Sequence, residues 1–166
     1  PFVPPGSGSS VPVDAPGFLL SGPVVRTFNG RYFRRIPAGG RTRTRPLAAF
    51  LFPLDSISGW NKLYGKRGFH QFQCVVPPEA TDALRDMMGR IARSGLASPL
   101  VVLKRMGAGR AGMLSFPMAG YTLAVDFPNR AKATRLIATL EEMVAEAGGR
   151  LYLAKDSLAG GDMIKG

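Results

Sequence analysis

Residues 69–95, FHQFQCVVPPEATDALRDMMGRIARSG, decide the fold, because the apolar repeat changes within them from that of a strand to that of a helix. Phe69 to Val76 alternates and is rich in aromatic and branched residues, which predicts a strand. Residues 79–94 then set Ala80, Ala83, Leu84, Met87, Met88 and Ile91 at spacings of three and four. Asp82, Arg85, Asp86 and Arg90 fall between them, and Ser94-Gly95 ends the run. That is an amphipathic helix with a glycine stop, its methionines in the core.

Toward the C-terminus the same reading repeats. Pro99 to Met106 (PLVVLKRM) is a second strand, GAGRAG (107–112) a loop, and Tyr121 to Phe127 (YTLAVDF) a third strand. Asn129 is placed to cap a helix running to about Ala147, with Leu136, Ile137, Leu140, Met143 and Val144 as its apolar stripe. Gly148-Gly149 stops it, and Arg150 to Ala154 (RLYLA) makes a fourth strand. The order β-α-β-β-α-β predicts an α+β, ferredoxin-like fold: an antiparallel sheet with the first and third strands central and both helices on one face.

Toward the N-terminus regularity fades. Residues 1–25 carry six prolines and read as an extended arm. Seven arginines (Arg26, Arg31, Arg34, Arg35, Arg41, Arg43 and Arg45) follow with Phe28, Tyr32 and Phe33 and no acid, and Asn29-Gly30 offers the turn of a short hairpin. The expected division is an arm or linker over 1–50 and a folded domain over 51–166.

Composition narrows the chemistry. The 166 residues hold 22 Lys and Arg against 11 Asp and Glu, a net charge of +11 that points to an anionic partner such as nucleic acid, a phosphorylated ligand or an acidic membrane. Cys74 and His70 are single residues of their kinds, which excludes an internal disulfide, a cysteine zinc site and any histidine cluster. Cys74 falls on the helix side of its strand and reads as a buried small apolar residue. GAGRAG lacks the GK[ST] of a phosphate loop and opens no helix. Asp126-Phe127-Pro128 reads as a strand end. No run is long enough to span a membrane.

The sheet face away from the helices carries the polar signal. Alternation puts Phe69, Gln71, Gln73 and Val75 together, while Lys104 interrupts an apolar strand and Lys155 follows Tyr152 and Leu153. These polar residues are either solvated or line one patch. Two readings of the whole then stand. One is a stand-alone basic module for RNA or DNA, needing aromatics on the two central strands, for which Phe69, Tyr121 and Phe127 are candidates. The other is a pocket for a small polar ligand.

A resemblance favours the pocket. FPLDSISGWNKLYGKRGFHQFQCVVPPEA (52–80), VVLKRMG (101–107), LSFPMAGYTLAVDFP (114–128) and GGRLYLAKDS (148–157) together resemble the C-terminal cap, or substrate, domain of FAD-linked oxidases of the vanillyl-alcohol-oxidase type. The likeness is to the branch that oxidises polyprenyl-phosphoryl sugars, and it runs through roughly 25–166. It implies hydride transfer from a sugar or alcohol C–OH to flavin N5, with the FAD held mainly by a flavin domain upstream of Pro1. It also implies that the segment alone does not turn over, that a partner reductase consumes the keto product, and that the enzyme is cytoplasmic or peripheral to the inner membrane.

Carried over by position, the family's pocket residues fall on Gln71, Gln73, Lys104, Trp60, Asn61 and Lys155, with Thr122 and Ala124 where the family has asparagine and cysteine. Further departures are Met106 for an aromatic, and Leu51 and Phe52 before the PLD run. The resemblance gives Lys155 the catalytic and flavin-contacting role, since a compact ammonium can stabilise a developing alkoxide. Lys104 is a second polar anchor, and Gln71 and Gln73 both donate and accept, as sugar hydroxyls require. No metal is expected, and nucleic acid is disfavoured. The arginine-rich segment would then face phosphate headgroups, the flavin domain or a membrane surface, unless it is merely solvated.

Overall fold

The structure is a computed structural model that describes residues 9–42, 44, 47, 57–96, 100–109, 112 and 115–155. Along the chain run β1 (Ser9–Ser10), a 3₁₀ turn at Gly17–Leu20, α1 (Gly22–Phe33) and β2 (Ile57–Ser58). A second 3₁₀ turn at Trp60–Tyr64 leads to β3 (Phe69–Val76), and a third at Pro78–Ala80 opens α2 (Thr81–Ser94). Then follow β4 (Val101–Met106), β5 (Gly120–Pro128), α3 (Ala131–Glu146) and β6 (Arg150–Leu151). From β3 onward the order is β-α-β-β-α-β, and the four strands form one antiparallel sheet in the order β4-β5-β3-β6. The fold is α+β, with β3 and β5 at the centre as expected.

Register explains the core. Phe72 lies opposite Val125 and Cys74 opposite Leu123. Their side chains meet Leu84, Met87 and Ile91 of α2 and Ala133, Ile137, Leu140 and Val144 of α3 in a single cluster. Both helices therefore cover the same face. Burial pushes the Cys74 thiol up to about 12, so it stays neutral and behaves as a small apolar residue. β5 begins with glycine for a steric reason: at Gly120, φ +154, a Cβ would lie 2.0 Å from the Val76 carbonyl oxygen.

Several expectations change. No hairpin forms at Asn29-Gly30; α1 runs through both residues. Ser21-Gly22-Pro23 supplies a helix start with proline in the first turn, and Phe28 stacks on Tyr32 one turn later at 6.1 Å. An Asn-Gly pair makes a hairpin only where its flanks can pair as strands, and here they wind together instead. Upstream of α1 the chain lies along the 57–65 segment. β1 pairs in parallel with β2, and the Val11 and Ala15 amides donate to the Ser58 and Lys62 carbonyls at 2.9 and 2.8 Å. The expected boundary at 50/51 falls outside the described residues, as do Leu51 and Phe52.

At α3 the cap position belongs to Arg130 and not Asn129, whose side-chain oxygen faces His70 Nε2 at 3.1 Å. β6 is shorter than the expected 150–154 strand. The Tyr152 amide still donates to the Gln73 carbonyl at 2.9 Å, but the Lys155 amide then turns back to the Tyr152 carbonyl. Met88, expected in the core, is 40% exposed, whereas Met87 is fully buried. No described helix is long and apolar enough to cross a membrane.

The packing makes a graded prediction. Phe72→Ala removes a 1% exposed ring from the centre of the cluster and should lower the unfolding free energy by about 3–5 kcal/mol. Val101→Ala, at a 46% exposed edge position, should cost under about 1 kcal/mol. Urea unfolding of this chain measures both, and equal losses would contradict the placement of the core.

Candidate functional site

The pleat that sends Phe72 and Cys74 to the helices sends Gln71 and Gln73 to the opposite face. Opposite them on β5 stand Asp126 and Ala124, and Thr122 lies next along that strand. On β4, Val102 pairs with Ala124 and Lys104 with Thr122, so three strands deliver one patch. These side chains, with Leu100 and with Lys155 from the turn after β6, line a hollow of about 200 Å³. Lys155 thus reaches the face from a turn and not from a strand.

Hydrogen bonds tie the floor together. Gln73 Nε2 donates to Thr122 Oγ1 at 3.3 Å, and Gln71 Nε2 donates to Asp126 Oδ1 at 3.0 Å. Tyr64 Oη donates to Asp126 Oδ2 at 3.1 Å. Asp126 is only 3% exposed, and burial raises its pKa above the ordinary value near 3.8. The Gln71 and Tyr64 hydrogen bonds and the Lys155 charge pull it back. The hollow therefore pairs one buried carboxyl with two exposed ammonium groups, Lys104 and Lys155. Each glutamine fixed in this way still has a second N–H and a carbonyl oxygen to offer a hydroxylated ligand.

Of the residues singled out in the sequence, Gln71, Gln73, Lys104, Thr122, Ala124 and Lys155 meet in the hollow. Trp60 and Asn61 stand outside its lining. Trp60 instead packs at 5.2 Å from Phe69 and edge-on to Tyr64 at 6.2 Å, and Tyr64 stacks on Phe69 at 4.4 Å. The turn expected to supply Trp60 and Asn61 reaches the site through Tyr64.

Two site residues escaped the sequence reading. Asp126-Phe127-Pro128 reads locally as a strand end, although the parity of Thr122, Ala124 and Asp126 assigns Asp126 to the open face. Tyr64 lies one turn beyond Trp60, but nothing local shows that its hydroxyl reaches a carboxylate 62 residues away. Leu100 and Val102 add an apolar wall that periodicity alone does not separate from core.

No family model matches the chain. Among curated proteins, 158 residues (95% of this chain, 41% of the relative) are 36% identical to an uncharacterized protein in the mprA 5′ region of Streptomyces coelicolor. Over 117 residues, 70% of the chain, it is 44% identical to decaprenylphosphoryl-beta-D-ribose oxidase of Mycolicibacterium smegmatis, of which it covers 25%. The chain thus spans 25% and 41% of the lengths of these two relatives, and its polar sheet face belongs to a homologue of part of decaprenylphosphoryl-beta-D-ribose oxidase.

Proposed function

We propose that this chain is the substrate-binding cap of an FAD-dependent oxidoreductase, one that oxidises a sugar or alcohol C–OH on a polyprenyl-phosphoryl-ribose type of substrate. The observation that carries this reading is the convergence of Gln71, Gln73, Lys104 and Lys155 on one hollow above a buried carboxyl. The oxidase relative supports it, and that protein's additional length leaves room for a flavin-binding domain.

The donor set fits a flavin lying over this face. Lys155 offers an ammonium and the glutamines offer N–H groups to an electron-rich ring edge, and the one carboxylate in the lining is buried and already hydrogen-bonded. When bound, FAD supplies the acceptor for the hydride leaving the substrate carbon. The protein's part is electrostatic and positional. Gln71 and Gln73 orient hydroxyls, Lys104 anchors a second polar group, and Lys155 stabilises the oxygen as its proton is lost. Asp126, behind the glutamines, accepts a hydrogen bond from Gln71 and so holds that amide in place.

Ala124 and Thr122 replace the cysteine and asparagine of the resembling oxidases with smaller side chains that lack the thiol and the carboxamide, so the reaction class is proposed to carry over while the sugar or lipid differs. FAD comes with the flavin domain of the same protein, a partner reductase consumes the product, and this segment alone is inactive. The RNA or DNA reading loses its platform: Phe127 is fully buried under the helices and Tyr121 packs against the same core. Of the three candidate aromatics only Phe69 keeps the open-face parity, and Trp60 and Tyr64 already pack on it.

In the full-length protein, Lys155→Ala should slow anaerobic flavin reduction by substrate by at least about a hundredfold while FAD stays bound. Unchanged reduction in a stopped-flow trace would remove Lys155 from the mechanism. Asp126 gives a pH signature. Its raised folded-state pKa means that unfolding releases a proton, so stability falls as pH climbs from about 3.8 through the raised value and then levels. Asp126→Asn should lack that component, and the wild type should lose ground to it across this window in urea titrations. A pH-independent difference would contradict the burial of the carboxyl.

A further inference from the structure

Behind Tyr64 the same end of the sheet opens on a second and larger cavity, about 440 Å³, between the N-terminal segment around Gly17, the 64–68 loop and residues 128–130 leading into α3. Its walls are tied together. The Ala15 amide donates to the Lys62 carbonyl at 2.8 Å, the Asn129 amide to the Gly68 carbonyl at 3.1 Å, and Arg130 Nη2 to the Gly17 carbonyl at 3.5 Å. Three cations line it, Lys66, Arg67 and Arg130, and no described carboxylate does. The first turn of α3 begins at Arg130 without a side-chain cap, so the positive end of a 16-residue helix dipole adds to the same field. Two guanidinium groups and an ammonium form a donor set suited to a dianionic tetrahedral oxyanion.

The cavity adjoins the open-face pocket. Pro128 pairs with Phe69 at its edge, and Asp126 pairs with Gln71 in the pocket, two residues further along the same strands or about 7 Å away. Tyr64 links the two, lining the cavity while its hydroxyl donates to Asp126 of the pocket lining. One ligand can therefore occupy both, with a hydroxylated portion on the glutamines and a phosphate among the cations.

We infer that the Lys66–Arg67–Arg130 cleft is a phosphate subsite, holding the phosphate of the molecule whose sugar lies in the open-face pocket. The carrier of that phosphate rests on the function proposed above, but the affinity for phosphate does not. Isothermal titration of the full-length protein with inorganic phosphate and with pyrophosphate at low ionic strength tests the affinity. The wild type should bind saturably, Arg67→Ala and Arg130→Ala should each weaken binding about tenfold, and Arg67→Lys should restore most of it. Arg85→Ala, on the exposed face of α2, should leave it unchanged. Arg130 also anchors Gly17, so Arg67→Ala decides the matter if the Arg130 variant unfolds. Absence of saturable binding, or an equal loss in Arg85→Ala, would overturn the subsite.

Flavin-reduction kinetics with a polyprenyl-phosphoryl sugar separate the sources. Arg67→Ala should raise KM about tenfold with kcat retained, whereas Lys155→Ala should lose kcat with phosphate binding intact. Phosphate binding that Arg67→Ala weakens, together with an unchanged KM, would overturn the assignment to substrate and leave a site for free phosphate. Phosphate binding in a wild type that never reduces its flavin with such a sugar would sink the proposed function and uphold the cleft.

Discussion

The register between β3 and β5 is the constraint on which the molecule depends. Pairing Cys74 with Leu123 and Gln71 with Asp126 sends Phe72, Cys74, Leu123, Val125 and Phe127 to the helices and Gln71, Gln73, Thr122 and Asp126 to the other face. A slip of a single residue would press Gln71 and Gln73 against α2 and α3 and expose Phe72. Core and candidate site are thus specified by one alternation, and neither can shift without the other. Gly120 secures that register at one end, because only a residue without a Cβ lets β5 pass the Val76 carbonyl at this distance.

Asp126 shows what this arrangement costs and what it supplies. A carboxyl 3% exposed on a sheet face is expensive to ionise, and two donors from different parts of the chain, Tyr64 and Gln71, are committed to it. Those bonds fix the orientation of Gln71 and hold the 60–64 turn against the sheet, which in turn stacks Tyr64 on Phe69. Rigid polar groups on a rigid sheet are what selective binding of a hydroxylated ligand needs.

Legibility in the sequence followed the range of the interactions. β3, α2, β5 and α3 were readable because each buries one face, and burial imposes a period that survives in the residues themselves. Gln71, Gln73, Lys104 and Lys155 were readable as polar exceptions on strands or beyond their ends, whereas Thr122 and Ala124 were reached only through the family resemblance. The hairpin at Asn29-Gly30 was misread because a dipeptide propensity says nothing about whether its flanks have a sheet to join. Asn129 was misplaced as a cap because its side chain has a competing partner, His70, 59 residues earlier. Tyr64 stayed hidden because its role is a single contact across 62 residues, with no periodicity to announce it.

The charge of the chain also acquires a direction. A net +11 says only that anions are attracted. The structure separates a buried carboxyl at Asp126 from a cleft of Lys66, Arg67 and Arg130 on the far side of Tyr64. The open-face pocket sets Lys104 and Lys155 beside that carboxyl, whereas the cleft holds three cations and no described carboxylate. On the function proposed above, a phosphate would therefore favour the cleft and leave the sugar over the glutamines, with its carbons toward Lys155. The gradient of charge along β3 and β5 would then decide which hydroxyl is presented for oxidation before any contact specific to a particular sugar is made.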